Sequence, residues 1–529
     1  MTSGGRRIVE AVGIIMAAMI VSRILGYLRD VVIYARFGQN RLTDVYNAAF
    51  SIPDFLYLLL VGGALSSSFI PVFTGYLAAG KKEEAWEMAS ILFNLIMVVM
   101  FFGVIIAIIF TPQLIFFLVP GFSPEYIDLT VKLTRIMFIQ VIFMALSGIS
   151  MGILNSHKHF LQPAAGAVLY NLCIVLVGLI LSKWYGIAGF SIGVVVGAIA
   201  NFAVQLPQLI KIGLRYHFSF NLKHPGVQKV AHLMLPVLIG LSVIQLNVFV
   251  NQNLASSLEP GAVAALRTGQ RLMMLPIGIF AVAVSVAVFP TLTGNAARGE
   301  MEQFRRNVSL GLRSVFFVNL PAAVGLIAVG IPVVRLLFEQ GMFTADATLA
   351  TAHVLMFYAL GLTAYAGMQL LNRVYYALQD TRTPVIVGVA TIALNIILSF
   401  LLIKPMAEGG LALAYSIAGG FNLLILLVIL HRKLHGVDSW PIISSFAKSL
   451  FASLIMGFIA YSIAIFLGQR LDLTNKIYQA IQVILAVSAG GLVYGGITLA
   501  LKMEEAGMIW NMLRRRLRRG KINPLPGQS

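Results

Sequence analysis

Four arginines occupy positions where arginine is expensive. Arg23 and Arg29 lie in one apolar stretch, Arg267 and Arg271 in another. An arginine at the centre of a membrane-spanning helix costs roughly 2.5–3.5 kcal/mol, so exposing all four to hydrocarbon would cost on the order of 10 kcal/mol. Such side chains line a wet cavity or pair with carboxylates. Arg267 and Arg271 are four residues apart and share one helix face. Arg23 and Arg29 are about 120° out of alignment at 3.6 residues per turn and can flank an opening without stacking. Asp30 and Asp44 are placed to pair with one or both of the latter, and Asp44 and Asp54 stand towards the outer half of the chain's second apolar stretch. Acids at matching depth are few, which leaves a net positive cavity. Guanidinium is a planar, permanently charged fork that takes two oxygens of one phosphate. The expected chemistry is therefore capture of a phosphate or diphosphate.

The elements that hold these arginines are lipid-spanning helices. The chain has 529 residues, 59% hydrophobic and 11% charged, far from the roughly 25% charge of soluble domains. Apolar stretches between polar breaks predict helices over 8–37, 44–76, 85–110, 126–155, 161–182, 186–212, 227–254, 262–292, 302–332, 346–378, 384–404, 409–431, 441–468 and 475–502. That is an all-α polytopic membrane protein of about 14 spans. Arg6 and Arg7 precede an apolar run without a convincing cleavage site, so the first segment is expected to be a retained helix. Cys173 is the single cysteine, so no disulfide forms within the chain.

With the N-terminus placed in the cytoplasm, the inner segments hold 24 of the 38 lysines and arginines and the outer loops 7. This is the bias of the positive-inside rule and puts both termini in the cytoplasm. The net charge of +18 therefore reads as topology, not as nucleic-acid binding. The basic tail Arg514-Arg515-Arg516-Leu517-Arg518-Arg519 lies just past the last span and favours anionic headgroups.

The chain also resembles itself. Pro71-Val-Phe-Thr-Gly75 and Pro290-Thr-Leu-Thr-Gly294 differ by 219 positions, Ser22 and Ser242 by 220, and Pro163, Gly189 and Asn201 precede Pro384, Gly410 and Asn422 by 221. Six spans separate the copies, so the repeat is parallel: two six-helix lobes, the arrangement of a transporter with its site between repeats. The expected division is 1–217 (N-lobe), 218–436 (C-lobe), 437–503 (two extra spans) and 504–529 (tail). Pro53, Pro71 and Gly62-Gly63 in span two, with Pro276 and Pro290 in span eight, are candidate hinges. The arginines are not repeated: Arg23 matches Val243 and Arg271 matches Ile52, so the charge is asymmetric between lobes. There is no phosphate-binding G-x-x-x-x-G-K-[ST] loop and no H-E-x-x-H, and no outer loop rich in acids. An enzyme is not expected, nor a cofactor or metal. Energy would come from membrane potential or an ion gradient, and 100 mV acts on one charge with about 2.3 kcal/mol.

Specific motifs add to this reading. Ser22-Arg23-Ile-Leu-Gly26-Tyr-Leu-Arg29-Asp30, Thr43-Asp44, Ile52-Pro53-Asp54, Ser68-Phe69-Ile70-Pro71, Gln270-Arg271-Leu272, Leu275-Pro276-Ile-Gly278 and Gln379-Asp380-Thr381-Arg382-Thr383-Pro384 together resemble the MurJ (MviN) family of bacterial lipid II flippases. That family belongs to the multidrug/oligosaccharidyl-lipid/polysaccharide exporter superfamily. The resemblance implies a monomer in the cytoplasmic (inner) membrane and a cationic cavity for the pyrophosphate of lipid II. It also implies a groove on the last two helices for the polyprenyl tail. By position, Ser22, Arg23, Arg29, Asp44 and Arg271 match functional positions of that cavity, with Arg267 as a compensating substrate-binding candidate and Asp30 and Asp54 in support. Tyr57 and Leu58 stand where some relatives carry arginine. Asn247, Asn251, Asn395 and Ser399 stand where some bind sodium through carboxylates, which argues against sodium coupling. A flippase for another polyprenyl-linked glycan is the nearest rival reading. A cation-coupled multidrug antiporter would need acids where this chain has arginines.

Overall fold

The computed structural model describes residues 3–59, 66–508 and 510–511. Gly62-Gly63 and the tail arginines lie outside that range. Among the described residues the chain is all helix and turn, and eleven helices are long and apolar enough to cross a membrane. Large apolar side chains lie open on the surface, among them Phe117 at 74%, Phe458 at 71% and Leu492 at 78%. Patches of this kind drive aggregation in water and need no cover in lipid.

Two compact units divide the chain: residues 1–264 with 340–344, and 265–339 with 345–529. In the first unit, α1 (Ser3–Phe37), α2 (Arg41–Tyr57), α3 (Ser66–Ala78), α4 (Lys82–Leu118) and α5 (Pro124–Ser156) are followed by α6 (Leu161–Tyr185), α7 (Ala188–Ala203), the short α8 (Leu206–Lys211) and α9 (Pro225–Ser256). Aromatic packing centres its core: Phe69 stacks on Phe73 at 5.1 Å, and Phe73 meets the Trp86 ring edge-on at 5.8 Å. Helix α9 packs on α2, α3 and α4.

Helices α6 and α7 touch backbone to backbone because α7 presents glycine every fourth residue. A Cβ on Gly189, Gly193 or Gly197 would lie 2.6 Å from Ser182 N, 3.0 Å from Ile174 O or 2.7 Å from Tyr170 O. This is the small-residue ridge that lets membrane helices approach closely without a hydrophobic driving force. At the repeat offset of 221 the ridge reads Gly410, Ala414 and Ala418, all buried.

The second unit holds α10 from Ala265 onward (Ala262–Pro276), α11 (Val282–Ala297), α12 (Met301–Phe338), α13 (Ala345–Ala377), α14 (Arg382–Lys433), α15 (Ser439–Gly468) and α16 (Lys476–Ala500). Helix α14 is two helices: Ala407, at φ 47°, ψ −129°, breaks it. Its repeat partner is Gly186, at φ 55°, ψ −139° between α6 and α7. Other irregularities recur at the same offsets. Gly80 and Gly299 have φ of 76° and 72°, and Lys158 and Gln379 of 64° and 57°. A π-turn at Leu58-Leu59 is matched by one over Ile277–Ala281, directly after Pro276. The missing proline N–H and its ring explain that widened turn. The repeat is thus written in backbone conformation as well as in residue identity.

Helices α15 and α16 are fastened to α12 at both of its ends. Arg313 of α12 pairs with Glu505 at 2.6 Å and Glu504 at 2.9 Å, and Ser445 of α15 donates to Glu505 at 2.9 Å. At the other end, Lys476 donates to the carbonyls of Arg335 and Leu336, both at 3.0 Å. A cation on the last carbonyls of a helix complements its dipole.

Candidate functional site

On α1, Ser22, Gly26 and Arg29 fall at i, i+4 and i+7 and share the face that meets α6. Asn171 of α6 sits at the centre of this contact. Its amide donates to Ala167 O at 3.1 Å, holding the side chain in place. The Asn171 amide lies 3.5 Å from both Ser22 O and Ser22 Oγ, and its carbonyl oxygen accepts from Arg29 Nη1 at 3.4 Å. Ser22 Oγ also donates to Ala167 O at 3.3 Å. Gly26 lies between them on this face, and a Cβ there would stand in ordinary contact with the Asn171 oxygen, at 3.7 Å. Nothing in the motif itself pointed to Asn171; a lone asparagine inside an apolar run was the available signal.

Arg29 is buried, 9% exposed. Its Nε and Nη2 donate to Asp30 Oδ1 at 3.1 and 3.0 Å, and its guanidinium stands 6.0 Å from the centre of the Phe50 ring. Asp30 therefore balances the charge of Arg29. Arg23, on a different face of α1, is exposed. The motif splits into a fixed part (Ser22, Gly26, Arg29, Asp30) and an open cation.

Asp44 is fully buried, and its surroundings differ from those of a ligand-facing acid. Oδ2 accepts from the backbone N–H of Gly261 at 2.7 Å, and Oδ1 from that of Ala264 at 2.9 Å. These amides begin α10, so Asp44 caps a helix 217 residues further along the chain. Arg41, one turn before it, donates to the carbonyls of Ser256 and Leu258 at 3.2 and 3.0 Å and lies over the Phe122 ring at 4.8 Å. The first turn of α2 thus places a cation on the C-terminus of α9 and an anion on the N-terminus of α10, each complementing a helix dipole. Gly261 makes the turn between them, at φ 97° with Gln39 O 2.7 Å from where a Cβ would be. Asp54 is exposed.

The helix so anchored carries Arg267 and Arg271. Both are half-buried, as are Gln270 and Met274, while Thr268, Gly269, Leu272 and Met273 are buried. Positions 267, 270, 271 and 274 form one stripe at helical spacing. The structure thus places Ser22, Arg29, Asp30 and Asp44 in fixed internal networks, Arg23 as an exposed residue, and Arg267 and Arg271 as half-buried ones.

The turn after α13 is built from the Gln379–Pro384 motif. Asp380 accepts from Thr383 N at 3.0 Å, Thr383 Oγ1 at 2.7 Å and Lys433 Nζ at 2.7 Å. The Lys433 ammonium, with the Thr383 donors, holds the Asp380 carboxyl well below the usual carboxylate range.

This architecture is shared with polytopic transporters of the MOP superfamily. An inward-facing multidrug resistance MATE family transporter of that superfamily superposes with a TM-score of 0.67 at 12% identity, over 80% of this chain and 99% of its own. At that identity the likeness concerns the fold. The family is narrower. The model of the lipid II flippase MurJ family matches residues 33–476, and the chain belongs to that family. A probable lipid II flippase MurJ of Rhizobium tropici is 30% identical over 92% of this chain and 95% of its own. One of Vibrio cholerae is 32% identical over 80% and 82%. A solved lipid II flippase MurJ in an inward closed conformation superposes with a TM-score of 0.77 at 30% identity, covering 92% of this chain and 99% of its own.

Proposed function

We propose that this protein moves lipid II, an undecaprenyl-diphosphate-linked disaccharide peptide, from the inner to the outer leaflet of the bacterial cytoplasmic membrane. The observation that carries the reading is the match, at 30% identity and a TM-score of 0.77, to 99% of a solved lipid II flippase. In this reading Arg23, Arg267 and Arg271 are the candidate ligands of the diphosphate, and Arg29 is held in its internal network by Asp30 and Asn171. Asp44 acts by holding the helix that carries Arg267 and Arg271.

The working topology is fourteen crossings: the eleven apolar helices with α14 counted twice at its Ala407 break, plus α1 and the α2–α3 pair. The lobes are 1–217 and 218–436, and both termini face the cytoplasm. Helices α15 and α16 offer the groove for the polyprenyl tail, and the tail residues 504–529 sit against the inner leaflet. The protein works as a monomer by alternating access, bending at the π-turns of spans two and eight, without cofactor or bond chemistry. A potential negative inside drives a multiply anionic headgroup outward by about 2.3 kcal/mol per charge per 100 mV.

Complementation tests this. In a bacterium depleted of its own lipid II flippase, the wild-type chain restores growth, and Arg23→Ala and Arg271→Ala, inserted at equal levels, do not. Growth with both variants would remove the arginines from the mechanism.

A further inference from the structure

Beside the arginine stripe of α10 stands a cluster of tyrosines that the phosphate reading leaves unused. Helix α10 packs against the cluster: a Cβ on Gly269 would stand 3.4 Å from the Tyr358 ring, and the side chain of the neighbouring Gln270 acts on the Tyr415 hydroxyl. The Tyr415 ring, on α14, stacks on that of Tyr365 on α13 with centroids 4.4 Å apart and planes 12° from parallel. Tyr358, one helical pair of turns before Tyr365, meets Tyr415 edge-on at 5.5 Å. Tyr365 Oη donates to Tyr415 O at 3.3 Å. The Tyr365 ring lies so close to α14 that a Cβ on Gly419 would stand 2.5 Å from it. Tyr358 is buried, whereas Tyr365 and Tyr415 are half-buried.

Packing alone does not call for this arrangement. A buried tyrosine brings a hydroxyl that needs a partner, and leucine or phenylalanine would fill the same space without one. Three phenols and an amide gathered at one point, with both rings of the stack half-open, form an uncharged surface of apolar faces and hydroxyl groups. Binding sites orient ligands with few such polar groups set among aromatic walls. A pyranose offers the matching chemistry: a C–H face for a ring, and hydroxyls or an acetamido group for phenol and amide donors and acceptors. Gln270 lies on the stripe between Arg267 and Arg271, so a ligand part that it touches lies next to the group those arginines hold.

We propose that Gln270, Tyr365 and Tyr415 form the subsite for the sugar joined directly to the diphosphate. This rests on the phosphate-binding role proposed above for the arginines and adds recognition of the glycan to it.

The test compares two lipids on the full-length protein in detergent, by native mass spectrometry: lipid II, and undecaprenyl diphosphate, which has no sugar. Gln270→Ala and Tyr415→Leu are expected to weaken lipid II retention by about tenfold, as for loss of one or two hydrogen bonds. Their retention of undecaprenyl diphosphate stays within about twofold by the same scale. Arg271→Ala weakens both lipids. Equal loss of the two lipids in the Gln270 and Tyr415 variants, or loss of neither, overturns the sugar subsite while leaving the arginine reading intact. Unchanged binding of both lipids in Arg271→Ala overturns the arginine reading instead. If Tyr415→Leu fails to fold, Gln270→Ala carries the comparison alone, because its side chain is half-exposed and its removal leaves no core cavity.

Discussion

Replacing Asp44 by alanine removes a carboxylate that two backbone amides share, those of Gly261 at 2.7 Å and Ala264 at 2.9 Å. A hydrogen bond to a charged group is worth about 1.5–3 kcal/mol, so the pair is worth about 3 kcal/mol at the lower limit. The side chain is fully buried, and water does not replace it freely at the two amides. Arg41 keeps its carbonyl partners Ser256 and Leu258, so the end of α9 stays capped while the start of α10 loosens. About 3 kcal/mol corresponds to roughly a 150-fold rise in local opening. Hydrogen–deuterium exchange of a peptide spanning residues 257–266 reads this directly. Protection should fall by about two orders of magnitude in Asp44→Ala, and by about half as much on a logarithmic scale in Asp44→Asn, which keeps one acceptor. Protection in peptides from α4 and α5 should not change. Wild-type exchange at 257–266 in Asp44→Ala would show that the carboxylate does not hold α10, and the positioning role assigned to it would be withdrawn.

Other consequences follow from the packing. Gly197→Ala forces a methyl to within 2.7 Å of Tyr170 O; overpacking of this kind costs about 1–3 kcal/mol, seen as earlier thermal unfolding in detergent, and an unchanged transition would mean that α6 and α7 are further apart than described. Arg313→Ala leaves Glu505, 4% exposed, without its cation. Losing one partner of a buried pair costs about 3–5 kcal/mol, so proteolysis between α15 and α16 should quicken, and an unchanged cleavage rate would contradict the clamp on α12. Asp380 has a folded-state pKa below its unfolded value, so its contribution is complete above the ordinary carboxylate range and disappears as pH falls through the folded value. Asp380→Asn should therefore lower the melting temperature by a constant amount between pH 5 and 8, the gap closing only in strong acid; a gap that narrows between pH 7 and 5 would contradict the Lys433 pairing.

Much of the helical framework was legible because hydropathy reports it without tertiary information. Runs such as 126–155 and 441–468 lie inside helices Pro124–Ser156 and Ser439–Gly468, their polar borders marking where chain leaves lipid. The repeat was legible for a related reason: Pro71 and Pro290, or Gly189 and Gly410, answer local backbone demands that recur, and Ala407 shows the same demand met by a non-glycine. The site was less legible. Asp44 reads as a cavity acid until the fold brings Gly261 and Ala264 to it across 217 positions of chain. The pairing of Asp30 with an arginine of α1 was legible, and it is made by Arg29 at 3.0 Å, the long guanidinium arm turning back although neighbours do not face each other on a helix. Asn171, Tyr365 and Tyr415 looked like ordinary residues of apolar spans, because only their partners on other helices distinguish them. Residues 60–65, where the Gly62-Gly63 hinge was expected, lie outside the described structure.

The central claim is transbilayer movement of lipid II through recognition of its diphosphate by arginine. It is tested most directly by labelling the lipid II exposed on the outer face of spheroplasts from cells depleted of their own flippase. Cells expressing this chain should show labelled lipid II at the outer leaflet, and cells expressing Arg23→Ala or Arg271→Ala at the same level should accumulate it inside. Outward lipid II at wild-type levels in both variants, or none with the wild-type chain correctly inserted, would contradict the account.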